Sequence, residues 1–218
     1  FKIKNVADLE KLAKEGKLKG KGLGPKTADN ILRGIDFLKT GSGRFVLGFI
    51  FPTLKKIKER LEKAPGVEKV EFAGSVRRMQ ETAGDLDILV ISKKPEEVMD
   101  FFVSMPEVQE IIGKGPTKTN VRLKMGMDAD LRVLPPKSFG AALQYFTGDK
   151  YHNVAMREIA VKRGYKLNEY GLFKGKKQIA GESEKEIYEK LGMDWMEPEL
   201  RTNSGELDAA LRRKLPKL

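Results

Sequence analysis

The stretch Asp85-Leu86-Asp87-Ile88-Leu89-Val90-Ile91 sets two carboxylates one residue apart at the head of an apolar run. Side chains alternate faces along a strand, so Asp85 and Asp87 point one way while Leu86, Ile88 and Val90 point the other. Just upstream lie the small-residue turn Gly74-Ser75 and two arginines, Arg77 and Arg78. Paired carboxylates beside such a turn are what a phosphoryl-transfer site with two divalent cations needs. Two carboxylates alone would leave the cations under-ligated. Met127-Asp128-Ala129-Asp130-Leu131-Arg132 supplies a third, and alternation does not choose between Asp128 and Asp130. The chain has no cysteine and one histidine, His152, which excludes thiolate and His-rich zinc sites. Carboxylates alone favour hard cations, Mg²⁺ or Mn²⁺. An isolated Asp-x-Asp equally fits a solvated strand edge. The turn, the arginines and the later aspartates weigh against that.

Strands are predicted over 67–73, leading into the Gly74-Ser75 turn, and over 85–92. Segments 121–127 and 128–134 alternate around a bend at Gly126, and Pro135-Pro136 stops the second of them. Helices are predicted over 52–63 (Leu54, Ile57 and Leu61 as the apolar stripe), 95–105, 138–147, 150–163, 184–191 and 205–213. The segment 166–179 reads as a small hairpin turning at Gly171 and Gly175. The lysines of 55–63 form a solvated face. His152 sits in a polar stretch and reads as a surface or DNA-proximal residue. Trp195, Met193 and Met196 read as a packing plug, and Arg77 as either a solvated neighbour of Arg78 or a contact.

The 218 residues carry a net charge of +11, which points to a polyanionic partner. No apolar run approaches the roughly 20 residues of a membrane span. Residues 1–44 are predicted helical, and their Leu18-Lys19-Gly20-Lys21-Gly22-Leu23-Gly24-Pro25-Lys26-Thr27-Ala28 resembles a helix-hairpin-helix DNA-binding motif. Gly22 and Gly24 would make the tight hairpin. Lys26 and the backbone N–H groups of the following first turn would meet a phosphate. Thr40-Gly41-Ser42-Gly43 and Pro135-Pro136 mark boundaries. The expected organisation is a helix-hairpin-helix segment (1–44), a catalytic region (45–135) and a third subdomain (136–218).

Gly74-Ser75-Val76-Arg77-Arg78, Gly84-Asp85-Leu86-Asp87, Asp130-Leu131-Arg132, Tyr145-Phe146-Thr147-Gly148 and Asn168-Glu169-Tyr170 together resemble a family X DNA polymerase of the bacterial or archaeal, polymerase beta-like type. The resemblance covers nearly the whole chain. It implies an α+β fold: a nucleotidyltransferase palm with a mixed sheet, preceded by the helical segment and followed by a small α+β nucleotide-binding, thumb-like subdomain. It implies Asp85, Asp87 and Asp130 as catalytic metal ligands for two Mg²⁺ ions (or Mn²⁺). It places Gly74, Ser75, Arg78 and Gly84 around an incoming triphosphate, and Tyr145, Phe146 and Gly148 along its sugar, with Lys150 in the nucleotide pocket. Asn153 would reach the incoming base and Arg157 the template. Arg132, Glu169 and Tyr170 would form a switch network acting on Asp87.

The implied partners are gapped or primed double-stranded DNA and a dNTP. A monomer, no membrane, and a cytoplasmic, nucleoid-associated place in a prokaryote are implied as well. So is a polymerase core cut from a longer protein, without lyase or proofreading activity. The sequence departs from the family at Asp128, where an arginine is expected, and at Lys150, Ala83 and Thr53. Two other readings stand beside the polymerase. One is a catalytically silent DNA-binding module. The other is a nucleotidyltransferase acting on RNA ends or small molecules.

Overall fold

The computed structural model describes residues 3–18, 27–29, 31–32, 35 and 43–216. The chain divides into two compact units, Phe1–Arg44 and Phe45–Leu218. In the first, Asn5 caps the helix Val6–Lys14 by accepting from the Asp8 N–H at 2.9 Å. Residues 27–29, 31–32 and 35 are helical, and Ala13, Leu18 and Ile35 are buried. Gly22, Gly24 and Lys26 lie outside the described residues.

The second unit is α+β. Its strands, in chain order, are β1 (Phe45–Val46), β2 (Val67–Phe72), β3 (Thr82–Ala83), β4 (Asp85–Ser92), β5 (Val108–Lys114), β6 (Lys118–Leu123), β7 (Asp128–Leu134), β8 (Lys166–Asn168), β9 (Gly171–Lys174) and β10 (Lys177–Ala180). The main sheet is mixed, in the order β2-β4-β7-β6-β5, and only the central pair β4–β7 is parallel. A parallel pair needs a crossover. The helix Pro95–Val103 and the β5–β6 hairpin provide it.

One face of this sheet is apolar. Leu86, Ile88 and Val90 of β4 and Ala129, Leu131 and Val133 of β7 pack against Leu54, Ile57 and Leu61 of the helix Leu47–Leu61. Val98, Met99 and Phe102 of Pro95–Val103 complete this core. At about 1.5–3 kcal/mol for each large side chain buried, it is the main support of the sheet. The helix Leu47–Leu61 begins well before the predicted position 52, and Pro52 lies inside it. Proline has no N–H to give the preceding turn, so the Gly48 carbonyl lacks its usual i+4 donor, the cost of a proline past the first helical turn.

The opposite face carries the acids and is partly covered by the helix Pro136–Thr147. Phe139, Ala142 and Leu143 of that helix pack on Leu89 and Ala73. Gly140 lets it approach the helix Glu184–Lys190, since a Cβ there would sit 2.2 Å from the Ser183 carbonyl carbon. A second core joins the helices Lys150–Lys162, Glu184–Lys190 and Glu206–Leu211 to the three-stranded sheet β10-β9-β8. The predicted hairpin over 166–179 is therefore three strands. Met193 and Met196 are buried in this core with Trp195 packed against it, as a plug should be.

His152 contradicts its predicted exposure. It is fully buried, with Nδ1 2.7 Å from Glu206 Oε1 and Nε2 3.0 Å from the Tyr188 hydroxyl. Burial lowers its pKa, and the hydrogen bond that the Glu206 carboxylate accepts works against that. It ties the carboxyl-terminal helix to the start of Lys150–Lys162.

Candidate active site

The parallel register sets Asp85 opposite Asp128 and Asp87 opposite Asp130. All four point to the face away from the large core, at the heads of β4 and β7. Next to them, β6 brings Arg122 opposite Asp128, Asn120 opposite Asp130 and Lys118 opposite Arg132. Burial, then the charges of Asp85 and Asp130, push the Asp87 carboxyl up to about 7, against the pull of Arg132 and Arg78. Crowded acids on one face are the donor set that a hard divalent cation matches by charge and ligand type.

As placed, the acids are engaged separately. Asn120 donates its amide to Asp130 Oδ1, and Lys118 Nζ lies 3.6 Å from Asp130 Oδ2. Among the described residues, no three carboxylate or imidazole groups close around a common point. Donor type, register and charge fit cation binding by Asp85, Asp87 and Asp130, with Lys118 as the counter-charge to be displaced.

The turn that follows β2 is tied to this pair. The Ala73 N–H donates to the Asp87 carbonyl at 2.9 Å, and Gly74–Arg77 forms one helical turn. Gly74 has φ +58°, and a Cβ there would sit 2.6 Å from Asp87 Oδ2. A glycine is needed for both reasons, the left-handed backbone and the close approach of a carboxylate. Ser75 and Gly84 are half-buried beside it.

Both arginines of the turn reach the Tyr145-Phe146-Thr147-Gly148 segment. Arg78 Nη1 donates to the Thr147 carbonyl, and Arg77 Nη1 donates to Thr147 Oγ1 at 2.7 Å. Arg77 also forks onto Glu184, at 2.8 and 2.7 Å. Arg201 Nη1 donates to the same carboxylate at 2.6 Å. Burial alone would raise the Glu184 pKa, but the two guanidiniums outweigh it and hold it down to about 2. Arg77 is thus a half-buried strut rather than a solvated neighbour. Glu184 and Arg201 carry no local motif, and sequence reasoning missed them.

Tyr145 and Phe146 meet edge to face at 5.1 Å, and the Arg132 guanidinium lies 4.5 Å from the Phe146 ring centroid. The nucleotide-pocket candidates therefore gather beside the acids. Asn153 is buried, and its amide donates to the Tyr145 carbonyl at 2.6 Å and accepts from Gln144 at 2.7 Å. Lys150 is exposed, and Arg157 is half-buried one turn beyond Asn153. The switch group is not assembled. No hydrogen bond or ion pair among the described residues joins Arg132 to Glu169 or Tyr170. Tyr170 is exposed in the β8–β9 turn, where Asn168 Oδ1 accepts from its N–H at 3.0 Å.

Residues 142–202 match the family model described as DNA polymerase beta thumb. DNA polymerase/3'-5' exonuclease PolX of Bacillus subtilis is 30% identical over 214 residues, covering 94% of this chain and 37% of that protein. DNA polymerase lambda of Arabidopsis thaliana is 26% identical over 204 residues, covering 78% of this chain and 38% of that one. The chain thus spans little more than a third of the length of either relative. Among solved structures, the ternary P/T complex of Leishmania infantum polymerase beta superposes with a TM-score of 0.70 at 22% identity, over 89% of this chain and 88% of that one. That likeness concerns the fold, an α+β arrangement with the mixed sheet of a nucleotidyltransferase palm. With the sequence matches beside it, the chain belongs to the family X DNA polymerases.

Proposed function

We propose that this chain adds a deoxynucleoside monophosphate from a dNTP to a primer 3′-hydroxyl, directed by a template in gapped or primed DNA. The observation that carries the reading is the meeting of three elements at one place: the acids of β4 and β7, the Gly74–Arg78 turn, and Tyr145–Gly148. Asp85, Asp87 and Asp130 would hold two Mg²⁺ ions, or Mn²⁺. When bound, such cations would supply positive charge to the attacking hydroxyl and the departing pyrophosphate. Ser75, Arg78 and the backbone of Gly74 and Gly84 would hold the triphosphate. Arg78 is already fixed to Thr147, which sets its distance from the sugar wall of Tyr145, Phe146 and Gly148. Asp130 is the candidate to take the 3′-hydroxyl proton as the new O–P bond forms and the bond to pyrophosphate breaks.

Lys150 and Asn153 would lie along the nucleotide and Arg157 along the template. Asn153 would have to release Gln144 or Tyr145 to reach a base. Arg132, Glu169 and Tyr170 would act on Asp87 only after rearrangement. Gly22, Gly24 and Lys26 would contact the DNA backbone. The net charge of +11 supports a nucleic-acid partner. Among the described residues, no helix is long and apolar enough to cross a membrane. The relatives, a PolX and a DNA polymerase lambda, support the polymerase class. A gap-filling role in base excision repair, in a monomeric nucleoid-associated protein, completes the reading.

A second reading, a catalytically silent DNA-binding module, draws on the engagement of Asp130 by Asn120 and Lys118. Primer extension separates the two. The whole chain, given Mg²⁺, a one-nucleotide gap and dNTPs, should add the templated nucleotide. Asp130→Ala should slow it about 10³-fold, the scale of losing a positioned proton acceptor. No incorporation by the unaltered chain would favour the silent module, and incorporation at equal rate by Asp130→Ala would take Asp130 out of the catalytic site.

A further inference from the structure

Four acids, not three, stand at the heads of β4 and β7. Register pairs Asp85 with Asp128 and Asp87 with Asp130, giving two similar rungs on one face. Strand periodicity treats the rungs alike, but the structure does not. Asp128 is gripped through both oxygens by Arg122, with Nε to Oδ1 at 2.7 Å and Nη2 to Oδ2 at 3.1 Å. On the other side of Arg122, β5 places Glu110 directly opposite. Asp130, by contrast, has one amide hydrogen bond and an ammonium at 3.6 Å. A guanidinium fork occupies both carboxylate oxygens and fixes their plane, whereas an amide and a distant ammonium leave an oxygen available. Like charges directly opposite on neighbouring strands are destabilising. Asp128 beside Asp85 therefore calls for the counter-charge that Arg122 supplies.

We propose that Arg122 is a positioning residue that holds Asp128 out of the cation site, so that Asp85, Asp87 and Asp130 alone build it. This rests on the metal-binding reading above and assigns a part to two residues which that reading leaves aside. Arg122 keeps one negative charge and two oxygens away from the cations. Without it, Asp128 becomes a fourth available ligand across from Asp85. Without Asp128, the acid face loses one negative charge while the guanidinium, facing Glu110 of β5, remains.

The test titrates the whole chain with Mn²⁺ alone, without nucleotide or DNA, and reads unbound Mn²⁺ by electron paramagnetic resonance. Arg122→Met should tighten Mn²⁺ binding, and Asp128→Asn should weaken it, each by roughly tenfold for one charge at this range in a partly solvated site. The double variant should return close to the unaltered chain. Arg122→Met placed on Asp130→Ala should restore part of the affinity that Asp130→Ala loses, because Asp128 can then substitute. If Arg122→Met does not fold, Asp128→Asn decides alone. Unchanged affinity in folded Arg122→Met and Asp128→Asn, with Asp130→Ala still weakened, would overturn this assignment only. Absence of Mn²⁺ binding by the unaltered chain, or no loss in Asp130→Ala, would overturn the metal reading and this assignment with it.

Discussion

Replacing Asp87 by asparagine should make the cation-free protein more stable at pH 8 while abolishing nucleotide addition. The Asp87 carboxyl is held up at about 7 by burial and by Asp85 and Asp130. An acid whose folded pKa lies above its unfolded value of 3.8 favours the folded state fully only below that value. That contribution declines as pH rises and is gone above about 7. The shift corresponds to something on the order of 4 kcal/mol, at about 1.4 kcal/mol per pH unit. Asparagine removes the ionisation and with it the decline. Urea unfolding in a chelator should show the variant gaining stability relative to the original chain as pH rises from 4 to 8. A variant that is less stable at pH 8, or equally pH-dependent, would show that Asp87 is not the strained group. Stability given up at a site of crowded acids is the expected counterpart of cation binding there.

The second large effect concerns Glu184. Its carboxylate accepts from Arg77, from Arg201 and from Trp195 Nε1 at 3.3 Å, and the Arg201 side chain is completely buried. Glu184→Ala leaves the buried Arg201 guanidinium, among the described residues, with the Met196 carbonyl, at 3.0 Å from Nη2, and the rings of Tyr188 and Trp195 but no carboxylate hydrogen bond. Breaking a buried pair from one side costs about 3–5 kcal/mol. Glu184→Gln keeps hydrogen-bonding capacity and should cost less. The pH dependence has the opposite sign to that of Asp87. Glu184 is held down to about 2, so its contribution is present above the ordinary 4.5 and is lost as pH falls from there toward 2. Thermal unfolding of the original chain should therefore fall steeply below pH 4.5, and that of Glu184→Gln should fall less. Because Arg77 anchors the turn bearing Ser75 and Arg78, Glu184→Gln should also raise the KM for dNTP more than it lowers kcat. Equal acid sensitivity in both proteins would assign the acid transition to other groups.

What the sequence made legible follows from how local each signal is. β4 was readable because Asp85-Leu86-Asp87-Ile88 alternates strictly and its register partner β7 alternates too. The pairing of Asp87 with Asp130 was not readable, because alternation leaves Asp128 and Asp130 equivalent and only the parallel register separates them. β5 was not readable. It is an edge strand with Ile111 48% exposed, so Val108–Lys114 has no buried face to impose a period. The start of Leu47–Leu61 was obscured by Pro52, a residue that usually opens a helix. His152 looked polar and exposed because its partner Glu206 lies 54 positions further on. Arg77 and Glu184 are 107 positions apart, and nothing near either announces the other. Alternation likewise left Asp128 and Asp130 alike, and the Arg122 fork that sets Asp128 apart comes from a different strand.

The central claim is that Asp85, Asp87 and Asp130 form one cation-binding centre beside the Gly74–Arg78 turn. Crystals of the whole chain soaked with Mn²⁺ and a dNTP, measured at the manganese absorption edge, test it most directly. The account predicts anomalous peaks between these three carboxylates, with the triphosphate along Ser75 and Arg78. Peaks confined to other acids, or a triphosphate bound with no manganese between Asp85, Asp87 and Asp130, would contradict it.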